Sequence, residues 1–185
     1  MKVAVYSGSF NPLHKGHEAI IRFLTESAGF DIVYLIVTPQ NPFKEAHTRP
    51  TGRERFTAAV EAVKRHPDLI VKPSDIEIDM DPPQYTIRTL DALQALEPDN
   101  DFTLVIGADN LDCFGGWRYH ERILLEYGVV VFPRKGYHRG RAKARLMKEN
   151  PAYKIELLKA PLVTISSTHI REEIAKGKDM SKWLM

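Results

Sequence analysis

Short apolar runs recur along the chain at Val3-Ala4-Val5-Tyr6, Ile32 to Val37, Phe102 to Ile106 and Val129 to Phe132. Their length and β-branched content predict strands buried on both faces. Between them apolar residues return at helical spacing. Ile20, Ile21, Leu24 and Ala28 mark a helix over Glu18 to Ala28, and Phe56, Ala59, Val60 and Val63 mark one from about Gly52 to His66. The second opens behind a capping box, Thr51-x-x-Glu54, and stops at Pro67. Ile87, Leu90, Leu93 and Leu96 form a third, with Thr86 as its N-cap and Pro98 as its stop. Further helices are predicted over His120 to Tyr127, over Gly140 to Asn150, and from the hydroxyl cluster near Ser166 to Gly177. Leu69-Ile70-Val71 and Ile76-Glu77-Ile78 supply short strand material, and Tyr153 to Leu158 reads as the last strand.

Strands alternating with helices imply an α/β fold, a Rossmann-like doubly wound parallel sheet, with residues 1–185 forming a single domain. A chain of 185 residues, 43% of them hydrophobic, is long enough for one substantial core. Its 26 Lys and Arg nearly balance 24 Asp and Glu, which selects no charged partner. Seven basic residues and no acid lie between Arg134 and Lys148, but with few aromatics among them they read as a solvated helix face rather than a nucleic-acid surface. Cys113 is the one cysteine, so no internal disulfide forms, and no apolar run is long enough to span a bilayer. The start is a strand, not a signal segment, so a cytoplasmic protein without a membrane partner is expected. Nothing in the pattern specifies an oligomer.

The chemistry concentrates where the first strand meets the first helix, at Ser7-Gly8-Ser9-Phe10-Asn11-Pro12-Leu13-His14-Lys15-Gly16-His17. Amides of such a turn and of the first helical turn lack partners and sit at the positive end of the helix dipole, which makes an anion site. His14 and His17 reach the same place. Three readings of them compete: zinc ligands short of a third partner, core histidines bonded to backbone, and donors that stabilise charge on a polyphosphate. Chemistry favours the last. Gly16 between them leaves room for a phosphate beside the main chain. Lys44, in the proline-punctuated loop after the second strand, is either a phosphate contact or a solvated loop lysine. Thr86 caps its helix and can also offer its hydroxyl to the cleft. Asp109, after Gly107 at a strand end, is a turn residue or an acceptor for a hydroxyl or a magnesium-bound water. Trp117 covers core or stacks on a flat heterocycle. Ser166, Ser167 and Thr168, with Arg171 one turn later, make a second cradle of amides, hydroxyls and a guanidinium.

Gly-Ser-Phe-Asn-Pro-Leu-His-Lys-Gly-His (residues 8 to 17) resembles the signature of the HxGH nucleotidyltransferases, and Ile-Ser-Ser-Thr-x-Ile-Arg (165 to 171) resembles their second, triphosphate-binding signature. Ile-Gly-Ala-Asp-Asn-Leu followed by Trp117, with seven residues between Asp109 and the tryptophan, is similar to the nicotinate-nucleotide adenylyltransferase branch. So are the Pro-x-Asn-Pro loop ending in Lys44, the segment from Gln84 to Leu90, and Arg134 in an Arg-x-Gly position. The sequence departs from that pattern at Ser7, Asn11, Phe43 and Gln84, where many members carry Gly, Asp, His and Ser. Relatives also continue through a further helix where this chain has the apolar tail Trp183-Leu184-Met185.

The resemblance implies adenylyl transfer from ATP to nicotinate mononucleotide, giving nicotinate adenine dinucleotide and pyrophosphate. It implies His14 and His17 as the catalytic pair. ATP would be bound by Gly8, Ser9, Phe10, Gly107, Asp109, Ser166, Ser167, Thr168 and Arg171. The mononucleotide would be bound by Asn41, Lys44, Thr86, Trp117 and Arg134, with Trp117 on the pyridine ring. Magnesium is expected through ATP oxygens and water, with no protein metal site. Phosphopantetheine adenylyl transfer, or a nucleotide-binding module without catalysis, are the alternatives. The Asp109-to-Trp117 spacing weighs against the first and the intact histidine pair against the second.

Overall fold

The computed structural model describes residues 1–39 and 50–185. Six strands form one sheet: β1 (Lys2–Gly8), β2 (Ile32–Val37), β3 (Val71–Ser74), β4 (Asp101–Gly107), β5 (Val129–Phe132) and β6 (Ile155–Leu157). Their order is β3-β2-β1-β4-β5-β6, and every neighbouring pair is parallel. Strand order reverses between β1 and β4, so the connections leaving their carboxyl ends diverge and open a crevice there. No helix of the described residues is long and apolar enough to cross a membrane.

Alternation along the strands feeds two cores. Val3, Val5, Tyr34, Ile36, Phe102 and Leu104 face one side, under α3 (Thr86–Leu96), α4 (Ala108–Asp112) and α6 (Arg139–Glu149). Ala4, Tyr6, Val33, Leu35, Val37 and Val105 face the other, under α1 (Lys15–Glu26) and α2 (Gly52–Lys64). Ile21, Leu24 and Leu90 are fully buried, and truncating any of them to alanine costs about 2–5 kcal/mol. The doubly covered parallel sheet expected from the apolar runs is therefore the observed one.

Local differences have identifiable causes. Ile76-Glu77-Ile78 is a turn closed by Ile78 N–H on the Asp75 carbonyl (2.8 Å), not a strand. All three residues turn inward: the isoleucines pack on opposite cores, and buried Glu77 accepts from Thr89 Oγ1 at 2.7 Å. α1 begins three residues before Glu18, because His14 is its N-cap. Tyr85, not Thr86, is the N-cap of α3, and it supplies no side-chain cap. The helix over His120 to Tyr127 is one α-turn, α5 (His120–Arg122), running into a π-turn over Ile123–Tyr127 that ends at Gly128 with φ of 78°. The last helix, α7 (Ser167–Ala175), has Ser166 as its N-cap.

Gly16 corrects an expectation. A Cβ there would lie 2.5 Å from Val163 Cγ1 and 2.8 Å from Ile165 Cγ2. The space beside its backbone is filled by the segment leading into α7, so Gly16 permits a close chain crossing rather than the approach of a phosphate. Gly16→Ala is expected to lower the urea unfolding midpoint. Helix propensity alone gains about 1 kcal/mol, but overpacking against two branched side chains costs about 1–3 kcal/mol. A midpoint at or above that of the parent protein would show that the crossing yields freely.

Candidate active site

Beyond Gly8 the chain turns through Phe10, whose φ of 45° lies in the left-handed region that L-residues rarely adopt. The Phe10 ring folds back beneath the strand end, where a Cβ on Gly8 would lie 3.0 Å from it. It is buried edge-on against Tyr6 and His17, at 5.5 and 5.1 Å between ring centres. Only the backbone of Phe10 is thus available to a ligand.

His14 and His17 cap the start of α1 reciprocally. His14 Nδ1 accepts from the Gly16 amide at 3.1 Å, and His17 Nδ1 accepts from the His14 amide at 3.1 Å. The rings stack with centres 3.7 Å apart. An imidazole accepting at Nδ1 carries its proton at Nε2 when neutral, and neither Nε2 is hydrogen-bonded to a described residue. Burial, helped by the positive charge of Arg134, lowers the His14 pKa to about 4. Burial, then His14 and Arg134, pushes His17 well below its usual value. At neutral pH both rings are uncharged and present Nε2–H. Each ring is thus bonded to backbone through Nδ1, as a capping histidine is, and leaves Nε2 without a partner among the described residues. Among the described residues no group of three His, Cys, Asp or Glu converges in a way that could hold a metal.

The second signature lies against the first. Ser167 Oγ donates to the Pro12 carbonyl at 2.9 Å, and Arg171 Nη1 donates to the Asn11 carbonyl at 2.7 Å. Arg171 Nη2 reaches Thr168 Oγ1 at 3.2 Å, and Ser166 Oγ accepts from the His169 amide at 3.2 Å. The apolar tail then returns to the same turn: Leu184 makes an antiparallel bridge with His14, and Met185 is buried. Residues from both ends of the sequence therefore meet at one place.

Between the ends of β1 and β4 lies a polar cleft walled by Ser7, Ser9, His17, Gly107, Asn110 and Arg134, with Ser167 at its rim. Asp109 Oδ1 is 3.6 Å from Arg134 Nε, and a Cβ on Gly107 would lie 2.3 Å from that oxygen. Glycine is what lets the pair close over the strand end. Asp109 Oδ1, Arg134 Nε and Ser7 Oγ are buried without a hydrogen-bond partner among the described residues. Each such atom costs about 1–3 kcal/mol when left unsatisfied, which makes this the part of the cleft best prepared for a polar ligand. The Arg134 guanidinium also sits 5.1 Å over the Phe132 ring, which fixes its direction.

A separate pocket is formed by Gln84, Tyr85, Thr86, Trp117 and Arg118. Trp117 stacks on Phe114 at 4.7 Å with one part of its surface, and its half-buried ring offers the rest to this pocket. Thr86, at the first position of α3, lies beside it. The structure thus groups the predicted residues in two places: His17, Gly8, Ser9, Phe10, Gly107, Arg134 and Ser167 line the cleft, with His14 stacked on His17 and Asp109 beside Arg134, and Thr86 with Trp117 lines the pocket. Ser166, Thr168 and Arg171 sit at the start of α7, where Arg171 holds the Asn11 carbonyl next to the cleft turn. Asn41, Phe43 and Lys44 lie outside the described residues.

Residues at these sites that were not predicted include Tyr6, Asn110 and Arg118, which line them, and Arg55, which packs behind the turn. Arg55 left a sequence signal, since it is in phase with Ala59 and Ala62 on the buried stripe of α2. Its Nη1 donates to the Ser9 carbonyl at 2.6 Å, and its Nη2 to the Thr38 carbonyl at 2.8 Å.

Residues 5–173 match the family model described as cytidylyltransferase-like. The chain is 36% identical over 184 residues to a probable nicotinate-nucleotide adenylyltransferase of Flavobacterium johnsoniae, a match covering 100% of this chain and 92% of the other. It is 37% identical over 184 residues to the protein of the same name from Flavobacterium psychrophilum, with the same coverage. The fold is similar to that of the Plasmodium falciparum nicotinic acid mononucleotide adenylyltransferase complexed with NaAD, with a TM-score of 0.76, 18% identity, and coverage of 97% of this chain and 87% of that one. With two signatures meeting at a single cleft and relatives aligned over its whole length, the chain belongs to the nicotinate-nucleotide adenylyltransferase family.

Proposed function

We propose that this protein transfers the adenylyl group of ATP to the phosphate of nicotinate mononucleotide, a step of NAD biosynthesis. A phosphate oxygen of the mononucleotide attacks the α-phosphorus of ATP. The new P–O bond forms as the bond to the β-phosphate oxygen breaks, and pyrophosphate leaves with that electron pair. A phosphate monoester dianion is already a competent nucleophile, so no covalent intermediate or strong base is needed. What the protein has to supply is in-line placement of two mutually repelling anions and stabilisation of the charge that builds during transfer.

The observation that carries this reading is the pair of uncommitted Nε2–H donors beside the cleft that also holds Arg134. His14 and His17 serve the α-phosphate with the amides of Gly8 to Phe10. With Nδ1 accepting from backbone, each neutral ring donates through Nε2–H, and the arriving phosphate charge raises their affinity for a proton. Ser166, Ser167, Thr168 and Arg171 hold the leaving pyrophosphate, and Gly107 with Asp109 borders the nucleoside. Arg134 grips the mononucleotide phosphate, where a guanidinium fork suits a dianion better than an ammonium. Thr86 and Trp117 take the pyridine ring.

The donor set fits magnesium carried on ATP oxygens rather than caged by protein. Asp109, whose carboxylate lies beside Arg134, would receive one water of its shell. When bound, the ion spreads the negative charge of the triphosphate.

His17→Ala is expected to lower kcat for pyrophosphate release by about a hundredfold or more, with ATP affinity little changed. Near-normal turnover would remove His17 from the mechanism. Trp117→Ala should raise the KM for nicotinate mononucleotide severalfold, in line with the roughly 0.5–1.5 kcal/mol of an aromatic stack, and leave kcat almost unchanged. An unaltered KM refutes the stacking role.

A pH dependence follows from the buried rings. The unfolded chain protonates its histidines near 6.5, whereas His14 in the folded protein stays neutral down to about 4. That contribution to stability is complete above about pH 6.5 and is lost as the pH falls toward 4, at about 1.4 kcal/mol per pH unit at most. Urea midpoints between pH 7.5 and 4.5 should show the decline, and His14→Asn, which keeps a capping side chain, should flatten it. Superimposable profiles would mean that His14 is not held neutral.

A further inference from the structure

Behind the turn that faces the cleft lies a charge that the reaction scheme above does not use. Arg55, on α2, is only 4% exposed. Among the described residues no carboxylate pairs with it. Its three nitrogens go to main-chain carbonyls instead: Nη1 to Ser9 at 2.6 Å, Nη2 to Thr38 at 2.8 Å and Nε to Pro50 at 3.4 Å. A guanidinium withdrawn from water and met, among the described residues, by neutral acceptors is an expensive arrangement. Burial accordingly lowers its affinity for its proton. If α2 needed only to be pinned to the sheet, an apolar side chain in phase with Ala59 and Ala62 would do so without that cost.

The geometry of the Ser9–Phe10 peptide shows what the charge accomplishes. Arg55 lies on one side of the turn, among Pro12, Leu13 and Ala59, while Ser7, Ser9 and His17 line the cleft on the other. In a trans peptide the N–H points opposite to the preceding carbonyl. With the Ser9 carbonyl drawn back onto Arg55, the Phe10 N–H is turned toward the cleft. Phe10 holds its left-handed φ of 45° at that same link, a conformation that needs an external hold.

We propose that Arg55 is a positioning residue for adenylyl transfer, clamping the Ser9 carbonyl so that the Phe10 amide points at the triphosphate, and supplying a buried positive charge whose counter-charge is that triphosphate. The inference rests on the reading of the cleft as a triphosphate site.

The test compares Arg55→Met, which loses both charge and donors, with Arg55→Lys, which keeps the charge but cannot reach three carbonyls at once. Both are checked for native circular dichroism and assayed well below their melting temperatures. Calorimetric titration with inorganic tripolyphosphate reads the cleft without turnover. Arg55→Met should bind it about tenfold or more weakly and lose about thirtyfold or more in kcat, as expected when an aimed amide is lost. Arg55→Lys should keep tripolyphosphate affinity within about threefold while losing about tenfold in kcat, the cost of misaim rather than of charge. The KM for nicotinate mononucleotide, set by Arg134 and the Trp117 pocket rather than by the Ser9–Phe10 peptide, should stay within about twofold in both, which a general loosening of the fold would not allow. Folded Arg55→Met with parental tripolyphosphate affinity and kcat overturns the proposal, and so does a parallel rise in mononucleotide KM. If Arg55→Met does not fold, Arg55→Lys decides alone: an unchanged kcat overturns the role, and the split between affinity and kcat supports it. Failure of the parental protein to bind tripolyphosphate would sink the triphosphate reading itself, a result distinct from equal binding by parent and variant.

Discussion

The peptide groups between Gly8 and His14 lie between a strand and a helix, and four of their carbonyls are satisfied by distant parts of the chain. Thr38 N–H reaches the Gly8 carbonyl, Arg55 the Ser9 carbonyl, Arg171 that of Asn11 and Ser167 that of Pro12. With these acceptors occupied, the uncommitted polar groups beside the turn are mainly donors, among them the Nε2–H of two capped histidines. Much of the site's geometry follows from this satisfaction of the carbonyls. The sheet provides the crevice, but the carbonyl contacts decide which polarity faces into it.

That arrangement also explains how buried imidazoles can serve an anion. Protonated histidines would attract phosphate more strongly, yet two stacked imidazolium rings beside Arg134 would repel one another and destabilise the apo protein. Neutral rings avoid that repulsion, and the reciprocal caps leave each with a single free nitrogen carrying hydrogen. The price of such rigidity is sensitivity of the fold to acid, which falls on the same side chains that the proposed reaction employs.

Much of this was legible in the sequence. The apolar runs of β1, β2, β4 and β5 are unambiguous because both faces of a parallel sheet are buried, and the capping box at Thr51 marks the start of α2 correctly. Ile76 to Ile78 imitates a strand because its alternation arises from a turn that sends side chains to two different cores. The pairing of His14 with His17 was legible from spacing, but their charge state depends on burial and on Arg134, which is more than a hundred residues away in sequence. Gly16 was given the wrong neighbour for a related reason: nothing local indicates that Val163 and Ile165 cross it. Arg55 is a basic residue in a surface-rich helix, and only its phase with two alanines hints that it points inward.

The bond from Arg171 to the Asn11 carbonyl joins residues 160 positions apart, and α7 follows the last strand of the sheet. During vectorial synthesis the amino-terminal portion is exposed first, so every strand can be in register before the guanidinium that holds the first turn leaves the ribosome. The turn after β1 is consequently completed late in the life of the nascent polypeptide, through contacts that span nearly the whole chain rather than through assembly of its sheet.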